Sequence, residues 1–298
     1  MKKWIKSVLI FSQIFGFSLT TYGQDDLLDL LETKQEEETT YTIATFKTTK
    51  IVSGNSVEMH PKKDLQFMIA HRFGRLNSGW RNLYGVDNGT IRFGFEYGLT
   101  DNLNLGFGRS SFQKTFDGTI KYRFLRQKFG AENFPFTASW VTNMYALGNE
   151  WEDTERENYF SSRLSYSHSV LIARKFGKYF SLQLSPTVMH RNLVLTEQDA
   201  NTIYAMGVGA STRLTGSVRF NVEYFYLDPN QYFSKIGGEA VSNSFSVGFD
   251  IETGGHVFQL SLSNSRGMTE KYLVGESSGD WFDGDIHFGF NISRMFSL

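Results

Sequence analysis

The sequence predicts an all-β, transmembrane, up-and-down antiparallel β-barrel of about twelve strands, with short periplasmic turns and longer extracellular loops. Three observations predict it. From residue 64 to the last residue, segments of about ten residues alternate apolar and polar side chains, as strands with one face toward lipid and one toward a lumen do. The connections between these segments are alternately short and long, as tight turns on one rim and loops on the other require. The composition is rich in aromatics (16%), with 28 Phe and 28 Gly but only 4 Pro, while mean hydropathy is negative. That balance suits strands whose two faces differ.

The chain begins Met1-Lys2-Lys3, continues with an apolar stretch from Trp4 to Leu19 broken by Lys6, and reaches Thr21-Tyr22-Gly23 before Gln24. A basic start, a short apolar middle and small residues at the cleavage position predict a signal peptide over 1–23. The stretch is short and interrupted for a spanning helix, which needs roughly 20 apolar residues. Its removal takes away three lysines and moves the formal charge from −1 to about −4. Such a balance offers no footprint for nucleic acid. The chain has no cysteine, so disulfides, thiolate metal sites and cysteine nucleophiles are excluded.

Residues 24–40, "QDDLLDLLETKQEEETT", form an acidic tail, expected to be periplasmic; Leu27, Leu28, Leu30 and Leu31 could make one apolar helix face for a partner. Residues 41–63 are β-rich around a turn at Ser53-Gly54-Asn55 and suit a hairpin, an extra strand pair or a plug. The barrel is expected over 64–298. Its twelve segments fall near 64–73, 90–98, 103–111, 117–127, 135–146, 159–174, 179–191, 203–213, 217–227, 243–251, 256–264 and 284–297. In "TIRFGFEYG", Ile91, Phe93, Phe95 and Tyr97 oppose Arg92, Gly94, Glu96 and Gly98. The last segment puts Ile286, Phe288, Phe290, Ile292 and Phe296 on one face, as expected of a strand that pairs with the first and leaves no edge. An even strand count puts both termini on the short-turn, periplasmic rim of a Gram-negative outer membrane.

A soluble sandwich or lipocalin-like barrel is the rival. It would turn twelve rows of Phe, Leu, Ile and Val into a small core and leave unusual amounts of Gly, Ser and Asn facing water. Small residues and scattered charges suit a lumen instead, and aromatics near segment ends suit interfacial girdles.

Strand phase assigns the charged lumen residues: Arg72, Arg92, Glu96, Lys121, Arg123, Arg163, Arg219, Glu223, Asp250 and Asp285, with His287. Buried charges need partners. The functional reading is a slightly cation-lined path for small polar or anionic solutes, in a passive pore or an accessory transport component. Against it stands a polar network closing a narrow barrel, a plugged scaffold that presents its tail to a periplasmic partner. Gly106-Phe107-Gly108 and Gly207-Val208-Gly209 put glycines at lumen phase, as room for something inside.

Enzymatic signals are poor. The sequence has no Gly-x-Ser-x-Gly, no His-Glu-x-x-His and no phosphate-binding glycine loop. Ser167-His168-Ser169 and Ser293 with His287 could be imagined in a lipid-acting barrel enzyme. Residues two apart on a strand lie about 7 Å from each other, too far for direct proton transfer. No catalytic residue, metal or cofactor is assigned. The acidic loops 147–158 and 265–283 are where divalent cations could bridge to lipopolysaccharide, although plainly solvated loops explain them as well. Partners expected of such a chain are outer-membrane lipid, lipopolysaccharide and the barrel assembly machinery.

The strings "TFKTTKIVSGNSVE", "AHRFGRLNSG", "FGRSSFQKTFDGTIKYRFLRQ", "ERENYFSSRLSYSH", "FDIETGGHVFQL" and "NSRGMTEKYLVGESSGDWFDGDIHFGFNISRMF" resemble an uncharacterised outer-membrane β-barrel family of Bacteroidota, known mainly as a domain of unknown function. The resemblance spans residues 41–298 and implies an outer-membrane barrel with no assigned catalytic residue. It also implies work beside a periplasmic lipid-binding protein. These strings give weight to an outer-mouth site formed by Arg266, Asp280, Asp283 and Asp285 with Arg72 and Arg75; the plainer reading is that they build the final hairpin.

Overall fold

A computed structural model describes residues 38–298 except 152, 153, 156, 232–234 and 237. The expected signal peptide and nearly all of the acidic tail lie outside the described residues. Twelve antiparallel strands close into a barrel. We number them β1 (Asp64–Arg75), β2 (Thr90–Thr100), β3 (Leu103–Ser110), β4 (Phe116–Leu125), β5 (Thr137–Ala146), β6 (Leu164–Phe176), β7 (Phe180–Arg191), β8 (Thr202–Arg213), β9 (Val218–Leu227), β10 (Ser244–Thr253), β11 (His256–Ser263) and β12 (His287–Ser297). Each pairs with its neighbours in the chain, and β12 returns to β1 with Ile292 opposite Ile69 and Ser297 opposite Asp64. The closing strand therefore leaves no open edge.

The side chains sort by parity, because successive residues of a strand point to opposite faces. On β6, Ser165, Ser167, Ser169, Leu171 and Ala173 are buried inside, while His168 and Ile172 are exposed outside. On β7, Ser181, Gln183, Ser185 and Thr187 point in and Phe180 and Leu184 point out. The exterior carries stacked aromatics across the closing seam: His71 on Phe290 at 5.3 Å and Phe73 on Phe288 at 5.8 Å. No helix among the described residues is long and apolar enough to cross a membrane.

Two sequence expectations shift. Strand phase from a start near 159 puts Arg163 in the lumen, but Phe160–Arg163 is a 3₁₀ turn and β6 starts at Leu164. The same phase puts Asp285 inside. Instead, Gly284 takes a left-handed φ of 79° in a turn, so β12 starts only at His287 and Asp285 stays at the rim.

Residues 42–62 enter the barrel from the short-turn rim. Arg219 holds the Ala44 and Thr45 carbonyls at 3.0 and 3.1 Å, and Lys47 pairs with Glu252 at the foot of β10. The segment turns back at its tip, where Ile51 N–H donates to Gly54 O and Ser56 N–H to Thr49 O, at 3.0 and 2.9 Å. From the opposite rim the β11–β12 connection descends as the short helix α1 (Glu270–Gly275), all six residues of which are buried. The two segments share the barrel interior and meet there.

Candidate functional site

The lumen is the candidate site, and residues 42–62 and α1 occupy it. Of the charged residues expected inside, Arg72 is fully buried and donates to Ser53 Oγ at 2.9 Å and Asn291 Oδ1 at 3.1 Å. Lys121 reaches the Thr49 and Glu58 carbonyls at 3.4 and 3.3 Å. Glu223 receives the N–H groups of Val52, Ser53 and Gly54 at 3.3, 3.3 and 2.9 Å, so a wall carboxylate is wrapped by the tip of the inserted segment. Glu96 lies 3.5 Å from Nε2 of His60, at the segment's exit. Asp250 accepts from Gln259 at 2.8 Å, and His287 Nδ1 sits 2.9 Å from the Phe73 carbonyl. Arg92 forms a two-point ion pair with Asp117, at 2.9 and 2.5 Å. Arg72, Lys121, Glu223 and Glu96 thus contact the inserted segment, whereas Asp250, His287 and Arg92 pair with residues of the wall.

Arg123 sits lower than expected, at the short-turn rim on the Asp101 carbonyl and the Asn102 amide oxygen. Arg163 braces a long loop, donating to Leu147 O at 3.0 Å with its guanidinium 4.0 Å over Trp151. The outer-mouth group does not assemble as a unit. Arg75, Asp285 and Glu239 cluster, with Arg75 2.6 Å from Glu239 and 3.1 Å from Asp285. Arg266 instead donates to Asn88 O at 2.9 Å, and Arg72 is deep inside. Asp280 caps the exposed turn through the Phe282 N–H at 2.7 Å, and Asp283 is exposed. At this rim, Arg75's hydrogen bonds hold Glu239 below the usual carboxylate range. Burial raises Asp285, but the Asn77 amide, the Asp280 N–H and Arg75 together bring it below its ordinary value.

Sequence reasoning missed the residues that join the two inserted segments. Glu270 of α1 takes the Asn55 backbone N–H at 3.3 Å and its side-chain amide at 2.8 Å on one oxygen. The other oxygen takes Asn143 at 3.0 Å and Ser169 at 3.3 Å from the wall. A loop residue has no strand phase, so no periodic signal marked Glu270. Gln183 of β7 pairs with the inserted backbone much as a strand would, accepting from Val57 N–H at 2.9 Å and donating to Asn55 O at 2.8 Å. Asp117 was readable from sequence, because it shares the parity of Lys121.

Apolar contacts complete the closure. Phe46, Ile51, Val52 and Val57 pack on Val141, Leu171 and Ala173, while Leu273 and Val274 of α1 pack with Met189, Ile203 and Phe225. The lumen glycines make room for the contents. A Cβ on Gly209 would collide with the end of Ile51, and one on Gly108 with the Arg92–Asp117 pair. Among the described residues no group of three or more His, Cys, Asp or Glu could hold a metal ion.

No curated protein matches the chain. Solved structures to which the chain is similar include an outer membrane channel from Pseudomonas putida F1, 14% identical, with a TM-score of 0.48 over 80% of this chain and 98% of that one. The NanC porin is 7% identical, with a TM-score of 0.47 over 78% of this chain and 100% of that one. Outer membrane phospholipase A from Escherichia coli is 10% identical, with a TM-score of 0.41 over 80% of this chain and 95% of that one. At such identities these neighbours carry no activity to this chain. Residues 46–296 match the family described as a membrane bound beta barrel domain (DUF5777), a span that takes in most of the inserted segment and nearly all of the barrel, and the chain belongs to that family.

Proposed function

We propose that the protein is an outer-membrane channel held shut, whose passage for small polar solutes opens when residues 42–62 are withdrawn toward the periplasm. The observation that carries this reading is the junction of Asn55 with Glu270, which connects two separately inserted segments inside the barrel. A wall rich in Ser, Asn and Gln is wettable once its filling leaves, whereas a barrel sealed for good has no need of it. The inserted segment is held largely by hydrogen bonds to wall side chains, and polar contacts of this kind are typical of interfaces that separate. The acidic stretch 24–40 directly precedes the inserted segment in sequence. In this reading it is the handle for a periplasmic partner, for which a lipid-binding protein is the expectation, and the short-turn rim faces the periplasm. No enzymatic step is part of the proposal.

A second reading has its own support. Phe46 and Val57 are packed on Val141 and Leu171, and apolar contacts of this kind favour a permanent plug in a scaffold barrel. Swelling of proteoliposomes in an isotonic amino-acid solution separates the two. The gated reading expects no swelling with the whole chain and rapid swelling with a variant lacking residues 24–63. A folded variant that stays impermeable contradicts it.

A further inference from the structure

At the short-turn rim, a cavity of about 250 Å³ lies between the two legs of the inserted segment, residues 42–45 and 57–61, and the feet of β4 and β5. Two irregularities border it. The β4–β5 register shifts between Arg123 and Leu125, and a bulge at a barrel rim re-aims the side chains beside it. Ala44, in the first leg, takes a left-handed φ of 52°, which an alanine rarely adopts. Residues persist in such conformations only where their surroundings over-determine them, and they gather at ligand sites.

Charges of both signs line this cavity, Arg123 and Arg126 with Glu58 and Asp101. Among the described residues, none of the four is within ion-pair distance of an opposite charge. Arg126 lies close enough to Arg123 to repel it, and Glu58 acts on Arg123 with the opposite sign. Arg123 spends Nε and Nη2 on the turn at Asp101 and Asn102, and Arg126 spends only Nε, on Thr42 O at 3.4 Å. One oxygen of Glu58 takes the Phe46 N–H and one of Asp101 takes the Lys62 N–H, both at 3.0 Å. The second oxygen of each carboxylate makes no hydrogen bond among the described residues, and neither does the buried Thr42 Oγ1. Partly buried charges and hydroxyls left this way cost free energy unless a ligand meets them. An anion here would face two carboxylates, and a cation would face two guanidiniums. A molecule with both charges meets all four.

The geometry points to a binding site for one free α-amino acid with an apolar side chain. Its carboxylate meets the free guanidinium nitrogens of Arg123 and Arg126, its ammonium meets Glu58, and its side chain rests on Ile43 and Met59. The cavity is smaller than the roughly 300–1,000 Å³ of sites for drug-sized ligands, which suits so small a solute. Tyr122 and Phe124 are exposed on the outer face, so Arg123 between them points inward and the site is closed off from the lipid-facing wall. Because both legs of the inserted segment build it, the ligand binds only while that segment is seated. The inference does not depend on whether the lumen opens.

Isothermal titration calorimetry of the whole chain in mild detergent, with L-leucine as the probe, tests it. The expected result is one leucine per chain. N-acetyl-leucine, which lacks the ammonium, and leucine amide, which lacks the carboxylate, each bind about tenfold more weakly or worse. Arg126→Gln and Glu58→Gln weaken leucine binding to the same degree, and Asp283→Asn at the opposite rim changes nothing. No binding of leucine by the folded chain overturns the proposal, and so does equal binding of leucine and N-acetyl-leucine. Tighter binding of glycerophosphoethanolamine than of leucine makes the cavity a lipid-headgroup site and also overturns it. If the variants do not fold, the four ligands decide alone on the unaltered chain. Conductance by a chain lacking residues 24–63, with no leucine binding by the whole chain, sinks this site and leaves the gate. Leucine binding by the whole chain with a shortened chain that stays shut sinks the gate and leaves this site.

Discussion

The side-chain amide of Asn55 donates to Glu270 Oε1 at 2.8 Å, although the two residues are 215 positions apart and enter the barrel from opposite rims. Asn55 also accepts from Lys50 Nζ at 2.7 Å, so one small side chain links the tip of the inserted segment to itself and to α1. Hydrogen bonds to charged partners contribute about 1.5–3 kcal/mol each. Asn55→Ala removes both without disturbing a barrel strand. We expect brief channel openings in planar bilayers where the unaltered chain stays silent, with no change in the thermal unfolding of the barrel itself.

Glu223 is the second hold. Its carboxylate accepts three backbone N–H groups, and Gln in its place keeps one oxygen acceptor and turns the other position into a donor facing donors. Loss of one to two charge-assisted bonds weakens the tip by about 1.5–3 kcal/mol or more. Amide hydrogen exchange over residues 50–57 in Glu223→Gln is expected to accelerate by about one to two orders of magnitude. Exchange over β9 itself stays unchanged.

Gly209 tests the packing of the same segment. A Cβ there meets the Ile51 side chain, so Gly209→Leu asks Ile51 and the added atoms to share one space. Because the natural chain has no cysteine, a single Ser53→Cys reports the tip's exposure cleanly. In the Gly209→Leu background an impermeant maleimide is expected to label position 53 readily, whereas in the Gly209 background the thiol stays protected.

The long-loop rim is expected to respond to acid. Glu239 and Asp285 both titrate below their ordinary values, so the contact they make with Arg75 is complete above about pH 4–5 and is lost as pH falls through the depressed values. Trp281 is the reporter, since its Nε1 donates to Phe245 O at 2.7 Å and its ring packs 5.0 Å from Phe245. In a variant with the other four tryptophans replaced by Phe, emission is expected to hold from pH 8 to about pH 5 and shift red below about pH 4. Arg75→Gln should bring the red shift to neutral pH.

Much of this architecture was readable in the residues. Period-two alternation located all twelve strands, because a lipid-facing Phe93 beside a lumen-facing Arg92 leaves no other phase. The same parity placed Arg72, Lys121, Glu223 and Asp250 inside. It failed where a strand begins later than its pattern, as at Arg163 behind a 3₁₀ turn and at Asp285 behind Gly284. It was silent on the contents of the lumen. The β-branched residues of 41–63 suit a hairpin, an edge pair or a plug equally. They enter the barrel because Glu223, Gln183 and Arg72 on three distant strands supply the partners that their backbone and Ser53 need. Glu270 gave no signal at all, since its partners come from β5, β6 and the inserted tip.

The central claim is that the lumen is shut by two inserted segments and that removing one opens it. Single-channel recording in planar bilayers tests this most directly, comparing the whole chain with a variant lacking residues 24–63. The account predicts silence from the whole chain and steady or flickering conductance from the shortened one. Steady open-channel current from the whole chain, or silence from a shortened chain that is folded and inserted, would contradict it.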